Sequence, residues 1–420
     1  MDNKEINPEK KNKCRKGRTY RYRKREKLQN LCFKKRGKVI QDDNWKSFRK
    51  WSKHQGLPKT KFTLAEFGGI TFQSLKLTSH QLLALYLALE YQKGINSQIY
   101  SYIQMLPKDF DDYMPIYFDY KLLELVPDHM KELIDSQKIK FEKDLIKVSG
   151  FLKSNKITRE RFLWGWMCEN SKSWLNSDIR ENIAIAPMLD FLNHSFDAKI
   201  KGEFNKSNQC YEITTFTPYK KGQQVFINYG PHDNYLILLD YGFTILNNLY
   251  NYISLDNEFF KFKIPTEDER IWKFKSKLLM ENGFYGDYTL NKSQISFRLL
   301  SALRLRLLPE IVNMNDNSNN DNSIFLSPPI SQSLITNWKL TLNGEREIIN
   351  NENEVEIYRW IYNICMELKN QYEMKLKNID NFKKFESKKS SNGLTNIKLL
   401  WIESIDILNS VKELCNEFLH

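Results

Sequence analysis

No run of apolar residues in this 420-residue chain approaches the ~18 needed to span a bilayer; the strongest, Leu82–Leu89, stops after eight. The opening is charged from Asp2 onward and no apolar stretch follows it. A secretory leader is therefore not expected, and the chain reads as an intracellular, soluble protein without a membrane partner. Cysteine is sparse and scattered. The six residues Cys14, Cys32, Cys168, Cys210, Cys365 and Cys415 include no CxxC pair. That spacing excludes a zinc ribbon and argues against a disulfide framework, leaving reduced, mostly buried thiols as the expectation. No serine or cysteine stands in a nucleophile-elbow context, so a hydrolase is without support. No His or Cys spacing suits a metal, and none is expected. Internal repeats are also missing.

What is present suffices for a core: 41% of residues are hydrophobic and 13% aromatic. A wholly disordered chain is thereby ruled out, and the length corresponds to two or three domains. Charge is distributed unevenly. Residues 1–39 hold 16 Lys and Arg against 4 Asp and Glu, so that +12 of the net +13 sits there and the body is almost neutral. Runs such as Arg21-Tyr22-Arg23-Lys24-Arg25 and Lys34-Lys35-Arg36 suit nuclear import or nucleic-acid phosphates, and equally a solvated tail that binds nothing in particular. The expected location is accordingly nucleus, cytoplasm or both.

Along the body, Trp45, Phe48 and Trp51 are spaced for a short helix. From His80 the pattern is strongly helical, with Leu82, Leu85 and Leu89 on one face and little polar relief. Helix and loop then alternate through Trp174, broken at Pro107, Pro115 and Pro127. Texture changes at Ile183. Two strands are expected, Tyr211–Thr217 and Gln224–Tyr229, divided by a turn holding Pro218 and Gly222. In the second, Val225 and Ile227 would face one way, Phe226 and Asn228 the other. Beyond Leu255 helices return: Phe297, Leu300, Leu303 and Leu307 are at helical spacing, Asn313–Ser323 is an Asn-rich loop, and helix resumes around Glu352–Lys375. The fold class is thus α+β with an all-α C-terminal domain.

Two segments of the β-rich block carry a resemblance. Asp190-Phe191-Leu192-Asn193-His194-Ser195 is similar to the Asn-His-Ser signature of SET-domain methyltransferases. Phe226-Ile227-Asn228-Tyr229-Gly230, with Asp240-Tyr241-Gly242-Phe243 after it, resembles that family's second signature. The absence of a cysteine-rich zinc cluster after the second signature, and the helical C-terminal block, resemble the Rubisco large-subunit methyltransferase branch. Further echoes are Leu106-Pro107, Trp164-Gly165-Trp166, and Leu300 and Leu303 with Arg304. The resemblance implies a basic tail over 1–43 and a SET domain over 44–255. Within the latter it implies a helical insert at about 80–182 and a core at 183–255, with a helical substrate-binding domain over 256–420.

It further implies transfer of a methyl group from S-adenosylmethionine to a lysine of a histone or other protein substrate. Asn193 and His194 would touch the cofactor, Tyr229 would stand beside the departing methyl, and Tyr241 and Phe243 would wall the lysine channel. The residue types suit that chemistry in their own right. In-line displacement relies on positioning, and aromatic faces and tyrosine oxygens suit a sulfonium. Other readings stand beside these. Asn193-His194 also fits a turn with a satisfied histidine, Tyr229 a strand-end core residue, and Tyr241 and Phe243 core packing. His232-Asp233 reads as a surface turn rather than a catalytic dyad. Two departures fall on the cofactor side. The family's Gly-rich first strand has only Gly68-Gly69 in its place, and Lys172 stands where a cofactor-binding arginine is usual. Lysine keeps the charge without the planar fork. The alternative function is a catalytically inactive SET-fold module that binds a protein.

Overall fold

The computed structural model describes residues 77–170, 185–205, 207, 210–265, 267–310, 330–385 and 391–419. The basic segment, Trp45–Trp51, Gly68-Gly69, Lys172, Trp174 and the Asn-rich tract lie outside them. The described residues divide into two compact units, one holding those of 77–118, 128–231 and 238–246, the other those of 119–127, 232–237 and 247–419.

The first unit begins with α1 (Ser79–Lys93), started by a reciprocal cap between Thr78 and Gln81. Gln81 N–H donates to Thr78 Oγ1 at 3.3 Å while Thr78 N–H donates to Gln81 Oε1 at 3.0 Å. The expected apolar face is only part of what it buries. Leu85 is buried and Leu82 and Leu89 partly so, but Leu83, Ala84, Leu87 and Ala88 are also inside. After α2 (Tyr100–Ile103), the first unit continues past the short α3 (Tyr120–Leu125) with α4 (Asp128–Ser154) and α5 (Arg159–Asn170). The proline breaks hold: Pro115 opens a 3₁₀ turn and Pro127 directly precedes α4. The expected alternation of helix and loop is described as far as Asn170, and its last residues to Trp174 lie outside the described ones.

Helix α5 crosses α1 at Gly165, where a Cβ would collide with the main-chain oxygen of Ala84. The flanking tryptophans fasten the crossing. Trp164 Nε1 donates to Pro107 O at 2.7 Å, and Trp166 Nε1 donates to Asp144 Oδ2 at 3.0 Å. Asp144 also accepts from Gln81 Nε2 at 2.6 Å, tying α4 to the cap of α1. Phe141 packs on Phe162 and Trp166, with ring centroids 5.8 and 5.6 Å away.

The β elements are smaller than the sequence suggests. β1 (Asn193–His194), β2 (Ile200–Asn205), β3 (Cys210–Thr215) and β4 (Phe226–Ile227) form two separate two-stranded sheets. β2 and β3 are antiparallel, Ile200 opposite Thr215 through Asn205 opposite Cys210. β2 was not anticipated. The longer strand expected over Gln224–Tyr229 is cut to two residues because β1 offers only two partners and Asn228 then turns the chain. Val225 falls outside it and is 38% exposed, whereas Ile227 is buried, so their expected common side is corrected.

In the second unit, β5 (Ile253–Ser254) pairs antiparallel with β6 (Thr289–Leu290), a two-residue exception to an otherwise helical block. Around them stand α7 (Asp256–Lys261), α8 (Glu269–Glu281), α9 (Phe297–Arg306), α10 (Gln332–Leu342), α11 (Asn351–Phe385) and α12 (Ser391–Leu419); α6 (Asn234–Tyr241) runs across the division of the units. The face expected for α9 is corrected. Leu303 is fully buried, but Phe297 is 49% exposed and Leu300 and Leu307 only half-buried, while Leu299, Ala302, Leu305, Arg304 and Arg306 go inside.

Two buried ions explain the rotation. Arg304 grips Glu354 of α11 with two bonds of 3.0 and 2.7 Å. Arg306 binds Glu267 at 2.9 Å, Phe259 O at 3.1 Å and Phe262 O at 2.6 Å, with the Trp272 ring 3.9 Å away. α11 extends ten residues beyond the expected Lys375. It is stapled to α12 by the Tyr358–Phe418 stack at 4.0 Å and the Tyr372–Trp401 pair at 4.8 Å. Cys168, Cys365 and Cys415 are buried thiols in no disulfide, and burial pushes the last two up to about 12. Among the described residues no helix is long and apolar enough to cross a membrane.

Candidate active site

The two signature segments meet. Ala186 O accepts from Asp190 N–H at 2.9 Å, opening a 3₁₀ turn over Leu189–Phe191 that leads the first segment into β1. Its position is set from the helical insert, where fully buried Tyr102 donates its hydroxyl to Asp190 Oδ2 at 2.6 Å. Burial, with the Asp190 charge next, holds the Tyr102 phenol well above its ordinary range, so it remains a donor.

β1 pairs parallel with β4, Asn193 opposite Phe226 and His194 opposite Ile227. Parallel pairing brings both segments out at the same end. There Ser195 N–H donates to Ile227 O at 2.9 Å, and Asn228 Nδ2 donates to Phe196 O at 3.4 Å. Asn228 Oδ1 also accepts from Gly230 N–H at 2.8 Å, closing a side-chain turn, and Gly230 itself takes a φ of +118°, which glycine adopts without strain.

Tyr229 projects from that turn. Its N–H donates to His194 Nδ1 at 2.9 Å and its hydroxyl donates to Leu192 O at 2.6 Å. His194 is buried, its ring 5.1 Å from that of Tyr229 and edge-on to Phe196 at 4.4 Å. Tyr241 lies 4.7 Å from Tyr229, ring to ring, and Phe243 lies 6.2 Å beyond Tyr241. Between these two, Gly242 has φ +71° and a Cβ there would lie 2.5 Å from both Tyr113 Cδ2 and Met114 Sδ, so the insert backs the aromatic wall directly. Burial, reinforced by the Asp240 charge, pushes the Tyr241 hydroxyl up to about 12 and keeps the wall neutral.

The structure therefore brings together five of the six residues singled out in the sequence: Asn193, His194, Tyr229, Tyr241 and Phe243. The sixth, Lys172, lies outside the described residues. His232-Asp233 is no dyad: Asp233 Oδ1 accepts from the N–H groups of Tyr235 at 2.7 Å and Leu236 at 3.1 Å, capping α6. Tyr102, Phe196, Asn228 and the Leu192 carbonyl were missed. Only Asn228 left a signal, as an Asn two residues ahead of a Gly. The chemistry of the set suits a sulfonium and an amine, with aromatic faces, hydroxyls that stay protonated, and half-buried Asn193 at the strand.

A family model described as "SET domain" matches residues 7–230, more than half of the chain. "SET domain-containing protein 4" of Mus musculus is 28% identical over 358 residues, covering 80% of this chain and 75% of that protein. "Ribosomal lysine N-methyltransferase set11" of Schizosaccharomyces pombe is 27% identical over 248 residues, covering 58% of this chain and 61% of its own length. The solved structure of Rubisco LSMT bound to AdoMet superposes with a TM-score of 0.58 at 17% identity, covering 90% of this chain and 92% of that one. With both signatures in place and the family model spanning them, the chain belongs to the SET-domain family.

Proposed function

We propose that this protein is an S-adenosylmethionine-dependent protein-lysine N-methyltransferase, with Tyr229 as the catalytic residue. The observation that carries the reading is the double hold on Tyr229, by N–H to His194 and by hydroxyl to Leu192 O, beside the Tyr241–Phe243 wall. The relatives named as lysine methyltransferases support it. When bound, S-adenosylmethionine supplies a methyl made electrophilic by its sulfonium.

The chain's own residues do the rest. Because the Tyr229 hydroxyl spends its one proton on Leu192 O, its oxygen can only accept on the open side. It can therefore take an N–H of the incoming amine and turn the nitrogen lone pair away from itself. The amine must arrive neutral, and removing its proton at pH 7 costs about 4–5 kcal/mol from a pKa near ~10.4. A dry aromatic wall disfavours the ammonium form by up to ~3–5 pKa units, which is of the size required. Asn193 is assigned to the cofactor, and Lys172 to its carboxylate as a point charge.

The double hold on Tyr229 beside the aromatic wall favours catalysis over a purely protein-binding role. The test is transfer of tritiated methyl from S-adenosylmethionine to lysine in lysate proteins. Tyr229→Phe is expected to lower it about 10²–10³-fold, the usual loss when one oriented polar group at a reacting centre is removed. Wild-type protein that labels nothing and gives no heat on cofactor titration would overturn the enzymatic reading.

A further inference from the structure

We infer that Tyr113, on a turn of the helical insert, positions the aromatic wall and sets how closely it closes on the acceptor amine. The inference deepens the methyltransferase reading given above and rests on it. Tyr241 and Phe243 flank Gly242, and the space a Cβ would need at Gly242 is taken by the insert. Tyr113 Cδ2 and Cε2 stand 2.5 and 3.2 Å from that position, and Met114 Sδ stands at 2.5 Å. The corner thus carries no side chain where the Tyr113 ring comes against its main chain, and its φ of +71° would strain any residue but glycine. A ring packed on the backbone between two wall residues limits the movement of both.

The turn that presents Tyr113 is itself braced. Trp164 Nε1 donates to Pro107 O at 2.7 Å just before it. Within it, the N–H groups of Tyr113 and Met114 both donate to Phe110 O, at 3.2 and 2.9 Å, and the Tyr113 hydroxyl donates to Asp109 O at 3.2 Å. The Phe110 ring lies 5.9 Å from that of Tyr113. Phe110 and Met114 belong to the hydrophobic core of the first unit, so the wall leans on that core through this turn.

Three variants of the full chain test the role. Tyr113→Phe keeps the ring, Tyr113→Leu fills part of its space, and Tyr113→Ala removes it. The acceptors are Nα-acetyl-lysine amide and the same compound dimethylated at Nζ. With Tyr113→Ala, kcat on the lysine acceptor should fall about tenfold, as for a less well placed reacting group. The rate on the dimethylated acceptor relative to lysine should rise at least about fivefold, because the wall can recede from the larger head group. That ratio is decisive, since a loss of folded protein lowers both rates alike. The cofactor Kd by calorimetry should stay within about threefold. Tyr113→Phe should keep most of the wild-type kcat and ratio. Tyr113→Leu should lie between, and carries the same tests if Tyr113→Ala does not fold.

Magnetic resonance of protein labelled at tyrosine Cζ reads the wall without the reaction. Burial pushes Tyr241 up to about 12, so at a pH of about 10.5 its phenol is still protonated in the wild type. The Tyr241 signal, assigned with Tyr241→Phe, should show ionisation at that pH in Tyr113→Ala, as water reaches the corner. A ratio that does not move while both rates fall overturns the inference, and so does Tyr113→Phe as impaired as Tyr113→Ala. If wild-type protein methylates neither acceptor, the Tyr241 signal decides: ionisation upholds the buttress and a phenol still protonated overturns it. Wild-type protein that also labels no lysate protein fails the proposed activity, a separate result.

Discussion

The Arg304–Glu354 pair offers the sharpest test of how the second unit is held. Arg304 is 7% and Glu354 2% exposed at the side chain, and they are joined by two bonds of 3.0 and 2.7 Å. Asn353, beside Glu354 on α11, donates to Arg304 O at 3.3 Å, so the ion pair sits inside a small polar network and not in apolar packing alone. Taking away one partner leaves the other charge buried without compensation, which costs about 3–5 kcal/mol. Arg304→Met and Glu354→Leu should each show that loss. The double variant should be within about 1 kcal/mol of wild type, because apolar residues of similar volume commonly replace a buried pair without penalty. At about 2–4 °C per kcal/mol for a unit of this size, each single variant should lower Tm by about 6–20 °C. Urea unfolding followed by the fluorescence of Trp338 and Trp360, both buried in the same unit, reads the change. Single variants that cost less than about 1 kcal/mol would refute the reasoning, as would a double variant that pays both losses in full.

Gly165→Ala should destabilise the first unit by about 1–3 kcal/mol, since the added methyl meets the backbone of α1 and not a flexible side chain. An unchanged urea midpoint would show that the α1–α5 crossing has slack. A second expectation concerns alkali. Tyr235, Tyr241 and Tyr288 are each pushed up to about 12, from an ordinary 10, chiefly by burial. A phenol whose folded pKa is raised gives stability that is whole below pH 10 and drains away as pH climbs toward 12. The last tyrosinate absorbance should therefore appear together with loss of helical circular dichroism. Complete titration near pH 10 with the helices intact would contradict this.

The site was legible because its chemistry is written in contiguous residues. Asn193-His194 and Tyr229-Gly230 each identify a strand end, and Tyr241-Gly242-Phe243 a corner. What the sequence did not reveal were the partners that orient them. Tyr102 lies 88 positions before Asp190 and looks like any core aromatic. Leu192 acts through a carbonyl that every residue possesses. In the fold, apolar spacing located α9 but mistook its inner face, because hydropathy counts Arg304 and Arg306 as solvent-seeking when both are paired and buried. β2 escaped notice for the opposite reason. Ile200-Lys201-Gly202-Glu203 is exposed for much of its length and has no apolar pattern to show. The strand around Val225 was overextended because alternation alone cannot say where a two-residue partner ends.

A parallel joint of two rungs is too slight to act as a spine. What keeps Tyr229 in line is a handful of side-chain bonds across the seam, backed on one side by Tyr102 and Met114 of the first unit's core. Losing those few bonds would displace Tyr229 at far smaller cost than unfolding the core behind it, so the reactive geometry is the part of this unit most sensitive to local opening.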